Sequence, residues 1–236
     1  MDVLYIVIPA YNEAQNLPDV IRQWYPIVSS HNAEGKSKLI VLNDGSRDET
    51  QDVLEELKKD CPLLEVVNKE NEGHGPTLIR GYKQALAEHA DFIFQTDSDG
   101  QTNPNEFESF WEKRHDYDAV FGNRTERGDG KQRAFVEKTL CHILHHYFRI
   151  SVPDANAPFR LMSAEYLAKY LPRLRSDYNL PNVMLTVFGV YYHDRVTFIP
   201  ISFAPRTQGK NSINMKKIFR IGRNALKDFR NFKHAM

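Results

Sequence analysis

Phe92-Ile93-Phe94-Gln95-Thr96-Asp97-Ser98-Asp99-Gly100-Gln101 passes from an apolar run into a polar turn. The run from Phe92 to Gln95 reads as a buried strand, and the turn begins where that strand ends. Asp97 and Asp99 stand two residues apart, with Gln101 two further on. In extended geometry alternate residues point the same way, so all three side chains can face one hard cation. Carboxylate and amide oxygens suit Mg²⁺ or Mn²⁺, which favour oxygen ligands and often complete their shell with phosphates. The same residues also suit a polar turn in which Asp and Gly end a strand. The rest of the chain has to decide between the two.

Working outward, three further apolar runs precede this one: Leu4 to Ile8, Lys38 to Leu42 and Leu64 to Val67. Helical spacing follows each of them, over Leu17 to Ile27, from about Asp48 to before Pro62, and over Pro76 to Glu88. Apolar strands alternating with helices predict an α/β fold with a mostly parallel sheet covered on both faces. Ligands bind such sheets beyond the carboxyl ends of the strands. Four polar motifs fall on that rim: Ala10 to Glu13, Asn43 to Thr50, Asn71 to Pro76, and Asp97 to Gln101. Each alone is also a plausible turn, and only their joint placement favours a site.

With 236 residues, 41% hydrophobic and 26% charged, the chain is an ordinary globular length and composition. Zero net charge gives no pull toward nucleic acid, so no nucleic-acid partner is expected. Cys61 and Cys141 form no CxxC pair, which suits a reducing compartment. No signal-peptide pattern is present, and the charge-free stretch Leu180 to Tyr192 is too short to span a bilayer. The expected location is the cytoplasm, free or peripheral on the cytoplasmic face of the membrane.

Four pieces, in this order and spacing, resemble the family-2 glycosyltransferases of the GT-A fold. They are Val7-Ile8-Pro9-Ala10-Tyr11-Asn12-Glu13 with Asn16-Leu17, Asn43-Asp44-Gly45-Ser46 with Asp48 and Thr50, Gly73-His74-Gly75, and Thr96 to Gln101. The resemblance covers about the first half of the chain. It implies a Rossmann-like nucleotide-sugar half (residues 1–123), a smaller acceptor-side half (124–236), and metal-dependent, inverting transfer of a sugar from a UDP- or GDP-linked donor. Carried over, it gives Pro9, Tyr11, Asn12, Glu13, Asp44, Gly75, Asp97 and Ser98 as donor-binding residues, with Asp44 on the base edge. Asp97, Asp99 and Gln101 become the ligands of Mg²⁺ or Mn²⁺. Gln101 is similar to the extra ligand of the polyprenyl-phosphate mannose synthase branch.

The second half continues the pattern. Ala119 to Asn123 reads as a strand entering a polar loop, Arg124 to Arg133, with Arg124 and Arg133 as candidate ligands of an acceptor phosphate. That loop could equally be a solvated one. A helix is predicted over Ala134 to Ile150. Its His142, His145 and His146 have a spacing that can hold a metal, or are surface and core residues. Val152 to Leu161 resembles the acceptor-side segment of polyprenol-phosphate glycosyltransferases, with Pro158 where Gly is usual. The resemblance suggests Asp154 as a general base and Arg160 as its buried partner. A phosphate acceptor, already anionic, needs no strong base, whereas a hydroxyl acceptor does.

Thr197 to Phe203 reads as a last strand, leading into Arg206-Thr207-Gln208-Gly209-Lys210-Asn211-Ser212. In the family this loop closes on the donor diphosphate, with Arg206 making that contact and Ile213 standing where a Lys is expected. The tail from Met215 to Met236 reads as a basic amphipathic helix. Its apolar face is Ile218, Ile221, Ala225, Phe229 and Phe232, suited to a membrane surface or to the core. The expected partners are thus a nucleoside-diphosphate sugar, a polyprenyl phosphate or other lipid-linked acceptor, and a membrane surface or membrane protein. The competing functions are transfer to a glycan hydroxyl with Asp154 as base, nucleotidyl transfer, and a non-catalytic sugar-nucleotide-binding protein. Nucleotidyl transfer lacks its glycine-rich phosphate loop after the first strand.

Overall fold

The computed structural model describes residues 2–128, 130–206 and 215–235. Strands β1 (Leu4–Ala10), β2 (Lys38–Asp44), β3 (Leu64–Lys69) and β4 (Phe92–Thr96) are parallel. Helices α1 (Leu17–Ser30), α2 (Thr50–Asp60) and α3 (His74–Ala87) connect them. The chain continues through α4 (Phe107–Trp111), β5 (Ala119–Arg127), α5 (Lys131–Phe148), β6 (Phe159–Ser163), α6 (Ala164–Tyr170), α7 (Pro181–Tyr191), β7 (Val196–Phe203) and α8 (Met215–Ala235). One seven-stranded sheet results, in the order β3-β2-β1-β4-β6-β5-β7. Only β6 runs against its neighbours, antiparallel to both β4 and β5, while β7 is parallel to β5.

Strand periodicity explains the two cores. Tyr5, Val7, Ile40, Leu42 and Ile93 face one cluster, with α3 and α7. Leu4, Ile6, Ile8, Leu39, Val41 and Phe94 face the other, with α1 and α4. Both faces are therefore covered, which is why the strands read as unbroken apolar runs. Trp24 of α1 anchors the second core, with ring centroids 5.3 Å from Phe94 and 5.8 Å from Phe159. The charge-free stretch at Leu180 forms α7, whose Val183 to Gly189 are all buried. A helix that is apolar all round belongs inside the protein.

Two expectations change here. The polar loop over 124–133 is mostly regular structure: β5 runs on to Arg127, and α5 begins at Lys131. Parallel pairing with β7 extends the strand as far as Arg127 opposite Phe203, across an irregularity between Arg124 and Glu126. The Phe159–Ser163 segment, read only as an acceptor-side motif, is a central strand. The carboxyl-terminal helix does dock on the core. Ala225 and Phe229 are buried, and Phe229 packs edge-on to Phe148 at 5.9 Å. Lys227, Arg230 and Lys233 stay exposed on its outer side. Ile218 and Ile221 lie outside the described side chains.

Candidate active site

The end of β4 is held in place before any ligand arrives. Ser98 Oγ donates to the Pro9 carbonyl at 2.8 Å, tying the turn to the end of β1. Gly100 takes φ +71°, a conformation that favours glycine, and lets the Gln101 amide turn back to Asp99 Oδ1 at 3.2 Å. Gln101 is clamped to the chain after β7: its Nε2 donates to Ala204 O at 2.6 Å, and Ala204 N donates back to Gln101 O at 2.8 Å. Burial pushes the Asp97 carboxyl well above the usual range, and the Asp99 charge adds to it. Burial also raises Asp99, with partial relief from the Gln101 amide, Arg206 and Arg133.

Two carboxylates that resist ionising together want a cation. Their oxygens, with the Gln101 amide oxygen, form the kind of donor set a hard divalent ion takes, so the residues fit Mg²⁺ or Mn²⁺. Among the described residues no three His, Cys, Asp or Glu side chains are grouped to hold a metal. Asp97 and Asp99 would therefore need the amide and non-protein oxygens to complete a shell. His142, His145 and His146 form no such grouping either, and His145 Nδ1 sits 3.0 Å from the carbonyl of Ile150, just beyond α5. His74 approaches the pair, with Nε2 at 3.9 Å from Asp97. The packed side of the imidazole pushes its titration down, favouring the neutral ring.

Arg206 faces the same edge. Its Nη2 lies 2.7 Å from each oxygen of Glu13, and its charge lowers Asp99. Asn16 Nδ2 also donates to Glu13, at 2.6 Å. Glu13, expected in the nucleoside pocket, is thus engaged with Arg206 in this arrangement. Arg133, in the first turn of α5, is partly exposed and also lowers Asp99. Gly209, Lys210, Ser212 and Ile213 lie outside the described residues.

The other predicted donor residues divide. Tyr11 is partly exposed on the rim after β1. Asn12, at φ +57°, bridges to the next motif: its Oδ1 accepts from Arg47 N at 2.7 Å and its N donates to Ser46 Oγ at 2.9 Å. Asp44 is bonded within the protein. Its carboxylate accepts the Glu72 and Gly73 amides at 2.9 Å each and pairs with Lys69, and only 5% of the side chain is exposed. Three of its acceptor positions thus already hold the β3–α3 turn. Gly75 also has a structural reason. A Cβ there would lie 2.3 Å from the Tyr178 carbonyl, so chain packing rather than a ligand explains the glycine.

Asp154 and Arg124 are bonded to each other. Arg124 Nε reaches Asp154 Oδ2 at 2.7 Å, Nη2 reaches Oδ1 at 2.9 Å, and Nη2 also reaches Glu137 Oε2 at 3.2 Å. The Arg124 side chain is 8% exposed and that of Asp154 is 2%. Burial would raise Asp154, but the Arg124 bonds and charge outweigh it and hold the carboxyl below its usual value. A buried carboxylate so held is a poor general base, and a guanidinium so held is a poor hand for an acceptor phosphate. Burial and the Asp154 charge push Glu137 up to about 7. Arg160 is not paired with Asp154; it is fully buried and donates to the carbonyls of Ala157 and Asn182 at 3.2 and 3.0 Å.

Sequence reasoning missed Glu137 and Gln95 and gave Asn182 no role. The available signal was polarity out of place: Gln95 interrupts an apolar strand, and Asn182 sits in a charge-free helix. Gln95 Nε2 donates to Asp97 Oδ1 at 3.1 Å, and Asn182 Nδ2 donates to Gln95 Oε1 at 3.0 Å.

The sheet order and its neighbours among solved structures define the fold as GT-A. The chain superposes on glucosyl-3-phosphoglycerate synthase from Mycobacterium tuberculosis in complex with UDP. The TM-score is 0.69 at 18% identity, over 99% of this chain and 80% of that one. Another structure of that synthase, with Mn²⁺, UDP-glucose and phosphoglyceric acid, gives 0.70 at 18% identity, over 99% of this chain and 80% of that one. The model of the family described as glycosyl transferase family 2 matches residues 5–171, and the chain belongs to that family.

Curated relatives include the undecaprenyl-phosphate 4-deoxy-4-formamido-L-arabinose transferase of Pseudomonas syringae pv. syringae (strain B728a). It is 28% identical over 57% of this chain and 40% of its own length. The dolichyl-phosphate beta-glucosyltransferase of Trichomonas vaginalis (strain ATCC PRA-98 / G3) is 27% identical over 69% of this chain and 53% of its own. The matched region spans about half the length of these relatives.

Proposed function

We propose that the chain is an inverting, metal-dependent glycosyltransferase that moves a sugar from a UDP- or GDP-linked donor to a polyprenyl phosphate. The observation that carries this is the Asp97–Asp99 carboxylate pair where β4 ends on the carboxyl rim of the sheet, with Arg206 and Arg133 acting on Asp99. Asp97, Asp99 and Gln101 would hold Mg²⁺ or Mn²⁺. When bound, the cation supplies Lewis-acid stabilisation of the charge that builds on the departing nucleoside diphosphate. Arg206 adds a charge-assisted hydrogen bond to that diphosphate by exchanging its Glu13 contact for the phosphate. Tyr11 and Asn12 line the nucleoside side.

The printed names of the curated relatives, undecaprenyl- and dolichyl-phosphate sugar transferases, support the acceptor class. So does the state of Asp154. A phosphate acceptor is already a nucleophile at neutral pH, and the one carboxylate proposed as base for a hydroxyl acceptor is bound by Arg124. Arg133 is the retained candidate for the acceptor phosphate. Among the described residues no helix is long and apolar enough to cross a membrane. The exposed Lys227, Arg230 and Lys233 on α8 are the surface we assign to an anionic membrane face.

The test is incubation of the purified protein with labelled UDP- or GDP-sugars, Mn²⁺ and polyprenyl phosphate, followed by extraction into organic solvent. Label in the organic phase, lost on omitting Mn²⁺, is the expected result. Transfer to glycan hydroxyls alone would overturn the acceptor assignment.

A further inference from the structure

A chain of buried hydrogen bonds runs from the middle of α3 to the carboxylate of Asp97. Tyr82 Oη donates to Asn182 Oδ1 at 3.1 Å, Asn182 Nδ2 to Gln95 Oε1 at 3.0 Å, and Gln95 Nε2 to Asp97 Oδ1 at 3.1 Å. Tyr82 and Gln95 have no exposed surface and Asn182 has 2%, so water does not substitute for any member. The direction of the chain is dictated by its end. With a cation bound, Asp97 is ionised and only accepts, so Gln95 turns its NH₂ to Asp97 and its oxygen to Asn182. Asn182 must then turn its NH₂ to Gln95 and its oxygen to the Tyr82 hydroxyl.

Asn182 is itself fixed from behind. Its carbonyl accepts from Arg160 Nη1 at 3.0 Å and from Thr186 Oγ1 at 3.0 Å. Thr186 Oγ1 also reaches the Ala155 carbonyl, at 3.1 Å, and Arg160 Nε reaches that of Ala157, at 3.2 Å. One residue thus joins the carboxylate at the end of β4 to the 154–158 segment, which enters the neighbouring strand β6 at the same rim.

We propose that Asn182 is a positioning residue for the metal site. Through Gln95 it presents Asp97 in one rotamer with one oxygen already bonded, leaving the other for a cation. The inference rests on the reading of Asp97 as a metal ligand. Hydrogen-bond partners behind metal ligands orient them, and losing one lowers metal affinity by about 10- to 100-fold.

The test measures Mn²⁺ affinity directly, from the electron paramagnetic resonance of free Mn²⁺, with thermal unfolding as the check on folding. The proteins are wild type, Asn182→Asp, Gln95→Met, the double variant, and Tyr82→Phe. Asn182→Asp keeps the shape but cannot donate, so Gln95 reverses and turns its oxygen on Asp97. Gln95→Met removes the donor to Asp97. Each is expected to weaken Mn²⁺ binding by about 10-fold or more, and the double variant by no more than Gln95→Met alone, because the two act in series. Tyr82→Phe removes only the far hydroxyl, is the variant most certain to fold, and is expected to weaken binding in the same direction by less. Wild-type binding retained unchanged in folded Asn182→Asp and Tyr82→Phe would overturn the positioning role and leave the metal reading intact. Fully additive losses in the double variant would overturn the series arrangement. A wild type that holds no Mn²⁺ would overturn the metal reading and this inference with it.

Discussion

Arg124 stands between two buried carboxylates, Asp154 and Glu137, and bonds both. Replacing it with alanine leaves two acids packed together without a cation, and a loss of about 3–5 kcal/mol is expected in urea unfolding. Glu137 offers a finer probe. Its folded carboxyl titrates at about 7, against an ordinary value of 4.5. Its contribution to stability is therefore fully present below the ordinary value and is lost as pH rises through the folded one. Glu137→Gln carries no such titration, so its melting temperature should gain on that of the wild type as the pH is raised from about 5 to about 8. A constant difference across that range would contradict the assignment. At Asp99 the expectation runs the other way from most buried substitutions. Asp99→Ala relieves a crowded like-charge pair, so stability should hold or rise while metal-dependent nucleotide binding disappears.

At the scale of elements, α3 and α8 carry the clearest tests. Gly75→Ala would set a Cβ against the Tyr178 carbonyl at 2.3 Å, a backbone atom that cannot step aside. A loss of about 1–3 kcal/mol by chemical denaturation is expected. Phe229 is 1% exposed against Phe148, and Phe229→Ala should cost about 3–5 kcal/mol if α8 is part of the core. A change near zero in either would mean that the packing is looser than described. The parallel strands were legible because each is an apolar run followed by helical spacing, a local signal. β6 was not, because it is only five residues long and its second residue, Arg160, breaks the apolar run that marks the other strands. The burial of Arg160 depends on carbonyls of Ala157 and Asn182 that only the fold brings to it. The Arg124–Asp154 pair hid for the same reason: each residue was noticed, but the contact spans 30 positions. Asp44 was noticed as a ligand because its motif resembles one, and its engagement by Lys69 follows from the β2–β3 register, which places the two opposite each other.

For the whole molecule, one sheet serves both halves of the chain, and every rim motif read from the sequence lies along its carboxyl edge. The net charge of zero conceals an uneven distribution, with Lys227, Arg230 and Lys233 exposed on one helix. Each cation near an anionic surface contributes about 1 kcal/mol, so replacing all three with Gln should abolish binding to anionic vesicles at moderate salt and leave nucleotide binding unchanged. Equal vesicle binding by the triple variant would remove α8 as the membrane face. The central claim, a metal and diphosphate site at Asp97 and Asp99, is tested most directly by thermal unfolding with UDP, GDP, CDP and dTDP, each with and without Mn²⁺. A ligand at about a hundred times its Kd stabilises by about 2.7 kcal/mol, or several degrees. The account predicts such a shift for UDP or GDP only when Mn²⁺ is present, and none in Asp99→Ala; a folded wild type that shifts with no nucleotide, or equally without the metal, would contradict it.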